Sequence, residues 1–168
     1  MTLATHILVA GAITKPFLGQ VNDLVIFVIS IFSHYLSDAI PHFDYKLASI
    51  EWRPGEKHNS RIHPNVQLIA VDLLNIAIDV AIGTSALILL TRPEPTLANL
   101  ITHSLIIIGG ILPDALQPIY IMYKKFPMTL IQIFHDFWHA ELRLKLEKRA
   151  ILSQGALFIF AALINYFY

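Results

Sequence analysis

Apolar residues run along this chain in long blocks, broken at a few polar or proline-bearing points. Residues 3–14 predict a short apolar helix, stopped by Lys15-Pro16 and Gly19. Asn22 or Asp23 can cap a second helix through 24–32 to about Asp38, and Pro41 disfavours helical geometry at Ile40. Pro64 suits the first turn of a third helix over 66–90. At 1.5 Å per residue that helix is about 37 Å long, enough for a bilayer core of about 30 Å. Arg92-Pro-Glu-Pro95 breaks it. A fourth helix is expected over 97–112, interrupted at Gly109-Gly110 and Pro113, with a half-helix continuing to Tyr123. The block 128–148 differs in character: Leu130, Ile133, Phe134, Phe137 and Trp138 recur at helical spacing, and its second half is charged. That suits a helix lying at a membrane interface or packed in a bundle. Residues 150–168 carry no charge and form the cleanest span. No segment shows the alternating period of a strand.

Composition turns this pattern into a class. Of 168 residues, 55% are hydrophobic and 14% charged, where soluble domains carry roughly 25% charge. One small core cannot hide that apolar excess, so the partner is lipid. The expected fold is all-α, a multi-pass transmembrane helical bundle with four principal spans plus short flanking or interfacial helices. It forms a single helical membrane domain over 1–168, with a polar loop at 43–64 holding Lys46, Glu51, Arg53, Glu56, Lys57 and Arg61. Residues 1–6 lack the basic region and cleavage site of a signal peptide, so the N-terminus reads as mature. Twelve basic and twelve acidic residues cancel, which removes the electrostatic footprint of a nucleic-acid binder. With no cysteine there are no disulfides, thiolate zinc sites or cysteine nucleophiles.

Alternate crossings decide which helix ends lie together. His6 falls at one end of the bundle, and His34, Asp38, His42 and Asp44 reach the same end. Asp114 joins them from the fourth helix, and His135 and His139 follow a short turn later. His103 lies at the far end. On the third helix Asp72, Asn75 and Asp79 form one stripe descending from the shared end. The loop 43–64 and Lys124-Lys125 also fall there, so the positive-inside rule makes that side cytoplasmic in a cell (inner) membrane. The basic cluster at 143–149 agrees if the fifth helix does not cross. Thr5-His6 and Thr102-His103 form a short internal echo, too brief to establish duplication.

The chemistry follows from residue types at these positions. His34 and Asp38 share one helical face, as do His135 and His139, with Cβ atoms about 5–6 Å apart. Metal sites inside helical bundles are built from such pairs on facing helices. An unpaired Asp in a bilayer costs about 2.5–3.5 kcal/mol and needs a partner, and Asp38, Asp72, Asp79 and Asp114 lack a matching Lys or Arg. A divalent metal is therefore expected on His34, Asp38, Asp79, Asp114, His135 and His139, with His6 and His42 as further ligands. Zinc is the default cofactor for His and carboxylate donors, with manganese or iron also suited. Asp72 or Asp44 could act as general base, and Lys124, Lys125 or Arg143 could hold an anionic head group. His58, His63 and Asp136 read as solvated loop or surface groups, and His103 as a group bonded to backbone. Phosphate loops, Gly-x-Ser-x-Gly elbows and His-Glu-x-x-His are absent from the sequence.

Several of these pieces resemble a known family. Thr5-His6, the run Ser33-His34-Tyr-Leu-Ser-Asp38-Ala-Ile-Pro41-His42-Phe-Asp44, Asp79 in an apolar helix, and Leu112-Pro113-Asp114 look like the membrane-bound metal-dependent hydrolases, small inner-membrane proteins. More distantly, the His-x3-Asp helix is similar to the zinc-dependent phospholipase C and P1 nuclease superfamily, all-helical phosphodiesterases with clustered zinc. The resemblance covers positions 6 to 139. It departs at His135-x3-His139, where those phospholipases use His-x3-Glu, and at Pro113-Asp114-Ala-Leu-Gln117, where the membrane hydrolases carry Pro-Asp-x-Asp-His. One or two metals are therefore expected rather than a larger cluster. The function this implies is a membrane-embedded metal-dependent hydrolase of a phosphoester or lipid head group. A metal-stabilised scaffold is the alternative, and a metal permease stands below both. The expected partners are the lipid bilayer and a phosphoester substrate, with no nucleic acid.

Overall fold

The structure is a computed structural model that describes residues 1–51, 60–139 and 147–167. Six α-helices carry the described chain: α1 Leu3–Thr14, α2 Asp23–Asp38, α3 Val66–Thr91, α4 Leu97–Tyr123, α5 Met128–Trp138 and α6 Glu147–Phe167. Polar side chains set several of their starts: Asn22 as expected, and Asn65 at α3, where Pro64 precedes the cap instead of lying in the first turn. Asn22 accepts the Val25 N–H, Asn65 those of Gln67 and Leu68, and Thr96 that of Asn99, each satisfying donors the first turn leaves free. Arg92 and Lys124 enter the left-handed region at φ 46° and 45° and end α3 and α4.

Helix α1 is the axis of the molecule. It packs against α2, α3, α4 and α6, and of its residues only Ile13 escapes full burial. A helix that is apolar all round belongs inside, and at 12 residues, about 18 Å, it is too short to face lipid across a bilayer. Small residues let its neighbours close in. A Cβ on Gly83 of α3 would stand 2.6 Å from the Ala4 backbone, and one on Gly110 of α4 would stand 3.1 Å from the Ala10 side chain. Gly109 meets α2 in the same way, with Ser30 Cβ 2.6 Å from the place its own Cβ would take.

Among the described residues three helical segments are long and apolar enough to cross a membrane: Val66–Thr91, Leu97–Tyr123 and Arg149–Phe167. Their outward residues, including Leu74, Ile82, Leu100 and Phe160, are exposed. The fourth expected span, α2, has 16 residues.

Three expectations are corrected. Helix α4 is not interrupted: it runs through both Pro113 and Pro118. Pro113 offers no N–H to the Gly109 carbonyl, but the glycines bring α1 and α2 close enough to hold the helix in place. Helix α5 stops at Trp138 instead of continuing to 148, and His139 is already extended at ψ 112°. A two-residue antiparallel pairing, Ile50–Glu51 with Arg61–Ile62, closes the polar loop despite the lack of a strand pattern. Arg53, Glu56, Lys57, His58 and Arg143 lie outside the described residues.

Candidate metal centre

Four elements deliver polar side chains to one end of the bundle: α1 brings His6, α2 His34 and Asp38, α4 Asp114, and α5 His135. The extended segment after α2 adds His42 and Asp44, and the residue after α5 adds His139. Helix α6 holds that segment in place. Ser153 Oγ donates to the Pro41 carbonyl, and the Phe43 N–H donates to Gln154 Oε1 at 3.1 Å.

The imidazoles are held in defined tautomers. His34 Nδ1 lies 2.8 Å from the Gly110 carbonyl and His42 Nδ1 2.7 Å from the Ile40 carbonyl. A carbonyl only accepts, so each Nδ1 carries the proton and each Nε2 presents a lone pair. Ser37 fixes His6 by the same logic. Its hydroxyl donates to the His34 carbonyl at 2.8 Å, leaving its oxygen to accept from His6 Nδ1 at 2.9 Å. The His6 and His34 rings stack with centroids 3.9 Å apart, an arrangement that suits neutral rings.

These three Nε2 atoms and that of His135 converge on Asp38. Its carboxylate, 1% exposed, has His34 Nε2 at 3.0 Å, His6 Nε2 at 3.3 Å, His135 Nε2 at 3.4 Å and His42 Nε2 at 3.8 Å. Yet neither Asp38 oxygen, nor His6 Nε2, has a hydrogen-bond partner. Buried carboxylates are ordinarily satisfied or paired. The His6 and His34 lone pairs facing this carboxylate repel it unless a cation stands between them.

The spacings fit such a cation. Donors bonded to zinc at 2.0–2.1 Å on a tetrahedron stand about 3.3–3.4 Å from one another. His34, Asp38, Asp114 and His135 form one group able to hold an ion, and Asp38, His42 and His139 form a second. In the first, Asp114 Oδ1 lies 3.4 Å from His135 Nε2 and 3.7 Å from His34 Nε2, while Asp114 Oδ2 lies 3.7 Å from His6 Nε2. In the second, His42 Nε2 and His139 Nε2 are 3.3 Å apart, and Asp44 reaches them at 3.2 and 3.3 Å. Asp38 belongs to both groups, so its carboxylate is placed to bridge two ions.

Electrostatics separate the two halves. Partial burial would raise the Asp44 carboxyl, but the His139 and His42 imidazoles and the N-terminal ammonium around it more than reverse this and hold it well below the usual carboxylate range. Burial would lower the His135 imidazole; the Asp114 and Asp38 carboxylates, each 3.4 Å away, outweigh that and raise it to about 9. Asp44 is 49% exposed and Asp114 23%, whereas His6, His34 and Asp38 are sealed. Water therefore reaches the centre from the Asp44–Asp114 side.

Among the expected ligands, the structure gathers His6, His34, Asp38, His42, Asp114, His135 and His139, with Asp44 at their edge. It places Asp79 elsewhere: its carboxylate accepts the Leu3 and Ala4 N–H groups at 2.7 and 3.2 Å, capping α1. Asp72, expected as a general base, accepts from Ala48 and Ser49 at 2.9 and 2.7 Å and pins the polar loop to α3. Both acids of the stripe thus serve backbone donors. His103 bonds the Asn99 carbonyl at 2.8 Å, at the far end.

Two positioning groups escaped the sequence reading. Ser37 has been described. Gln117 donates to Asp114 Oδ1 at 2.8 Å and lies 3.3 Å from His135 Nε2. Its spacing of three from Asp114 on a helix is the signal that could have found it. Comparisons with protein-family models, curated proteins and solved structures gave no match, so the reading rests on these side chains.

Proposed function

We propose that this chain is a membrane-embedded metal-dependent hydrolase of a phosphoester, acting at the interface on the cytoplasmic side of a cell membrane. The observation that carries the reading is Asp38: a buried carboxylate without a hydrogen bond, faced by the His6 and His34 nitrogens held as lone-pair donors. His6, His34, Asp38, Asp114 and His135 would hold one divalent ion, and Asp38, His42, Asp44 and His139 a second. Zinc suits this donor set best. When bound, such ions lower the pKa of water toward about 7 and polarise a phosphoryl oxygen.

The chain's own residues supply the rest. Ser37, Gly110 and Ile40 hold the imidazole tautomers, and Gln117 orients Asp114. Asp44, at the exposed edge, is paired with the Met1 ammonium and held well below the usual carboxylate range, so it suits a ligand and not the general base expected of it. Sealing of His6 and Asp38 keeps bulk solvent from the inner face. Helix α2 is read as the fourth span, because Leu24, Phe32 and Leu36 on its outer side are exposed. The permease alternative needs polar groups along the whole depth. Below Asp79 the next small residue of α3, Gly83, is packed against α1.

The test is elemental analysis of detergent-purified protein, followed by phosphodiester and phospholipid panels with Zn²⁺ or Mn²⁺. Two ions per chain and metal-dependent turnover are expected. Bound metal with no turnover on any panel would put the scaffold reading ahead, and absence of metal would remove both.

A further inference from the structure

Beside the metal centre an open groove of about 320 Å³ runs between the start of the polar loop and α3, lined by Thr2, Tyr45, Lys46, Asn75, Ile78, Asp79 and Ile82. Its two walls differ in kind. One is polar and carries Lys46, an exposed cation with no ion pair or hydrogen bond among the described residues. The Asp79 carboxylate in the same groove makes no ion pair with it and instead accepts two N–H groups of α1. The other wall is Ile78 and Ile82, half-exposed on a helix apolar enough to cross a membrane.

Depth along α3 places this groove at the membrane boundary. Counting about 20 residues, or 30 Å, back from Thr91 puts the edge of the hydrocarbon near residue 72. Asn75 then lies within a turn of that edge, and Ile82 about 15 Å below it. The same count from Leu97 along α4 puts Asp114 within a turn of the edge, level with the polar end of the groove. Tyr45 in the groove wall follows Asp44 directly in the chain, so the groove lies next to the centre.

We infer that this groove is the entry site for a phosphate-bearing lipid, with Lys46 and Asn75 taking the anionic head group and Ile78 and Ile82 receiving an acyl chain from the bilayer. The inference rests on the hydrolase reading only for what happens next; the binding site stands on its own geometry. Lys124, expected to hold the head group, instead has its Nζ bonded to the Ser60 carbonyl at 3.0 Å.

The test is native mass spectrometry of the full, zinc-loaded chain in detergent micelles. The probes are phosphatidic acid, diacylglycerol with the same chains, and glycerol 3-phosphate. Phosphatidic acid should bind at least tenfold more tightly than either of the others. Lys46→Gln should weaken phosphatidic acid about tenfold, the lower end of what a hydrogen bond to a charged group supplies, and leave diacylglycerol and zinc content unchanged. Ile82→Trp, which fills the apolar end, should weaken both lipids and spare glycerol 3-phosphate. Equal binding of glycerol 3-phosphate and phosphatidic acid, or indifference to both substitutions, would overturn the inference. Turnover of a soluble phosphodiester with that outcome would leave the hydrolase standing without the groove. Lys46-dependent lipid binding with no metal-dependent turnover would do the reverse.

Discussion

Ser37→Ala isolates the claim that tautomers, and not proximity alone, make the metal centre. The Ser37 oxygen accepts from His6 Nδ1 at 2.9 Å while its hydroxyl donates to the His34 carbonyl at 2.8 Å. Without it the His6 ring loses the partner that fixes its proton and its orientation, and Nε2 no longer points dependably at Asp38. Partners of this kind are worth about 10- to 100-fold in metal affinity, or roughly 1.4–2.7 kcal/mol. The metal-free fold should also suffer, since a buried N–H left without an acceptor costs about 1–3 kcal/mol. Competition against a calibrated chelator at fixed pH measures the first effect, and the thermal midpoint of chelated protein the second. Ser33→Ala is the control: the Ser33 hydroxyl is equally buried but donates only to the Ser30 carbonyl of its own helix, so zinc affinity should not change. Equal zinc affinity in the wild type and Ser37→Ala would show that His6 is not a ligand held by this bond.

The other expectations probe the shared carboxylate, the helix approach and the proton balance. Asp38→Ala removes the donor common to both groups, and zinc content by elemental analysis should fall by at least half; an unchanged stoichiometry would exclude Asp38 as a bridge. Gly109→Val places atoms where Ser30 Cβ and the Phe27 carbonyl already stand, at 2.6 and 3.0 Å from the new Cβ, so about 1–3 kcal/mol of stability should be lost. Zinc affinity should drop with it, because separating α2 from α4 draws His34 away from Gly110; a thermal midpoint equal to wild type would refute the close approach. In chelated protein, His135 is raised from 6.5 to about 9, so its protonated form adds stability that is fully present below about 6.5 and lost as pH rises through about 9. A denaturation series across that window should show the loss, and His135→Gln should flatten it.

Much of the architecture was legible because length and hydropathy decide it. The starts of α1, α2 and α3 follow from Asn22, Pro64 and the apolar blocks behind them, and counting crossings was enough to bring His6, His34, Asp38, Asp114 and His135 to one end. What periodicity does not carry is tertiary approach. Pro113 signals a break, and only the contact of Gly109 and Gly110 with neighbouring helices explains why α4 runs on. Asp72 and Asp79 share the residue type and burial logic of a ligand. Whether such a carboxylate meets an imidazole or a backbone N–H depends on which segment folds over it, and here α1 and the polar loop arrive first. His139 sat at helical spacing from His135 but follows the end of α5, which sends it to the second group and not the first.

The two roles of helix α1 tie the centre to the groove. Its N-terminal N–H groups bind Asp79 in the groove wall, and one turn later His6 faces Asp38. The helix is short and enclosed on all sides, so it cannot tilt at one end without moving the other. Asp79 therefore shares α1 with His6, although its carboxylate touches none of the clustered imidazoles. The same rigidity explains why an apolar helix unable to span a bilayer occupies the centre of a membrane bundle. It holds the His6 imidazole at the shared end of the bundle, enclosed by α2, α3, α4 and α6, while its own start is capped by Asp79 in the groove wall.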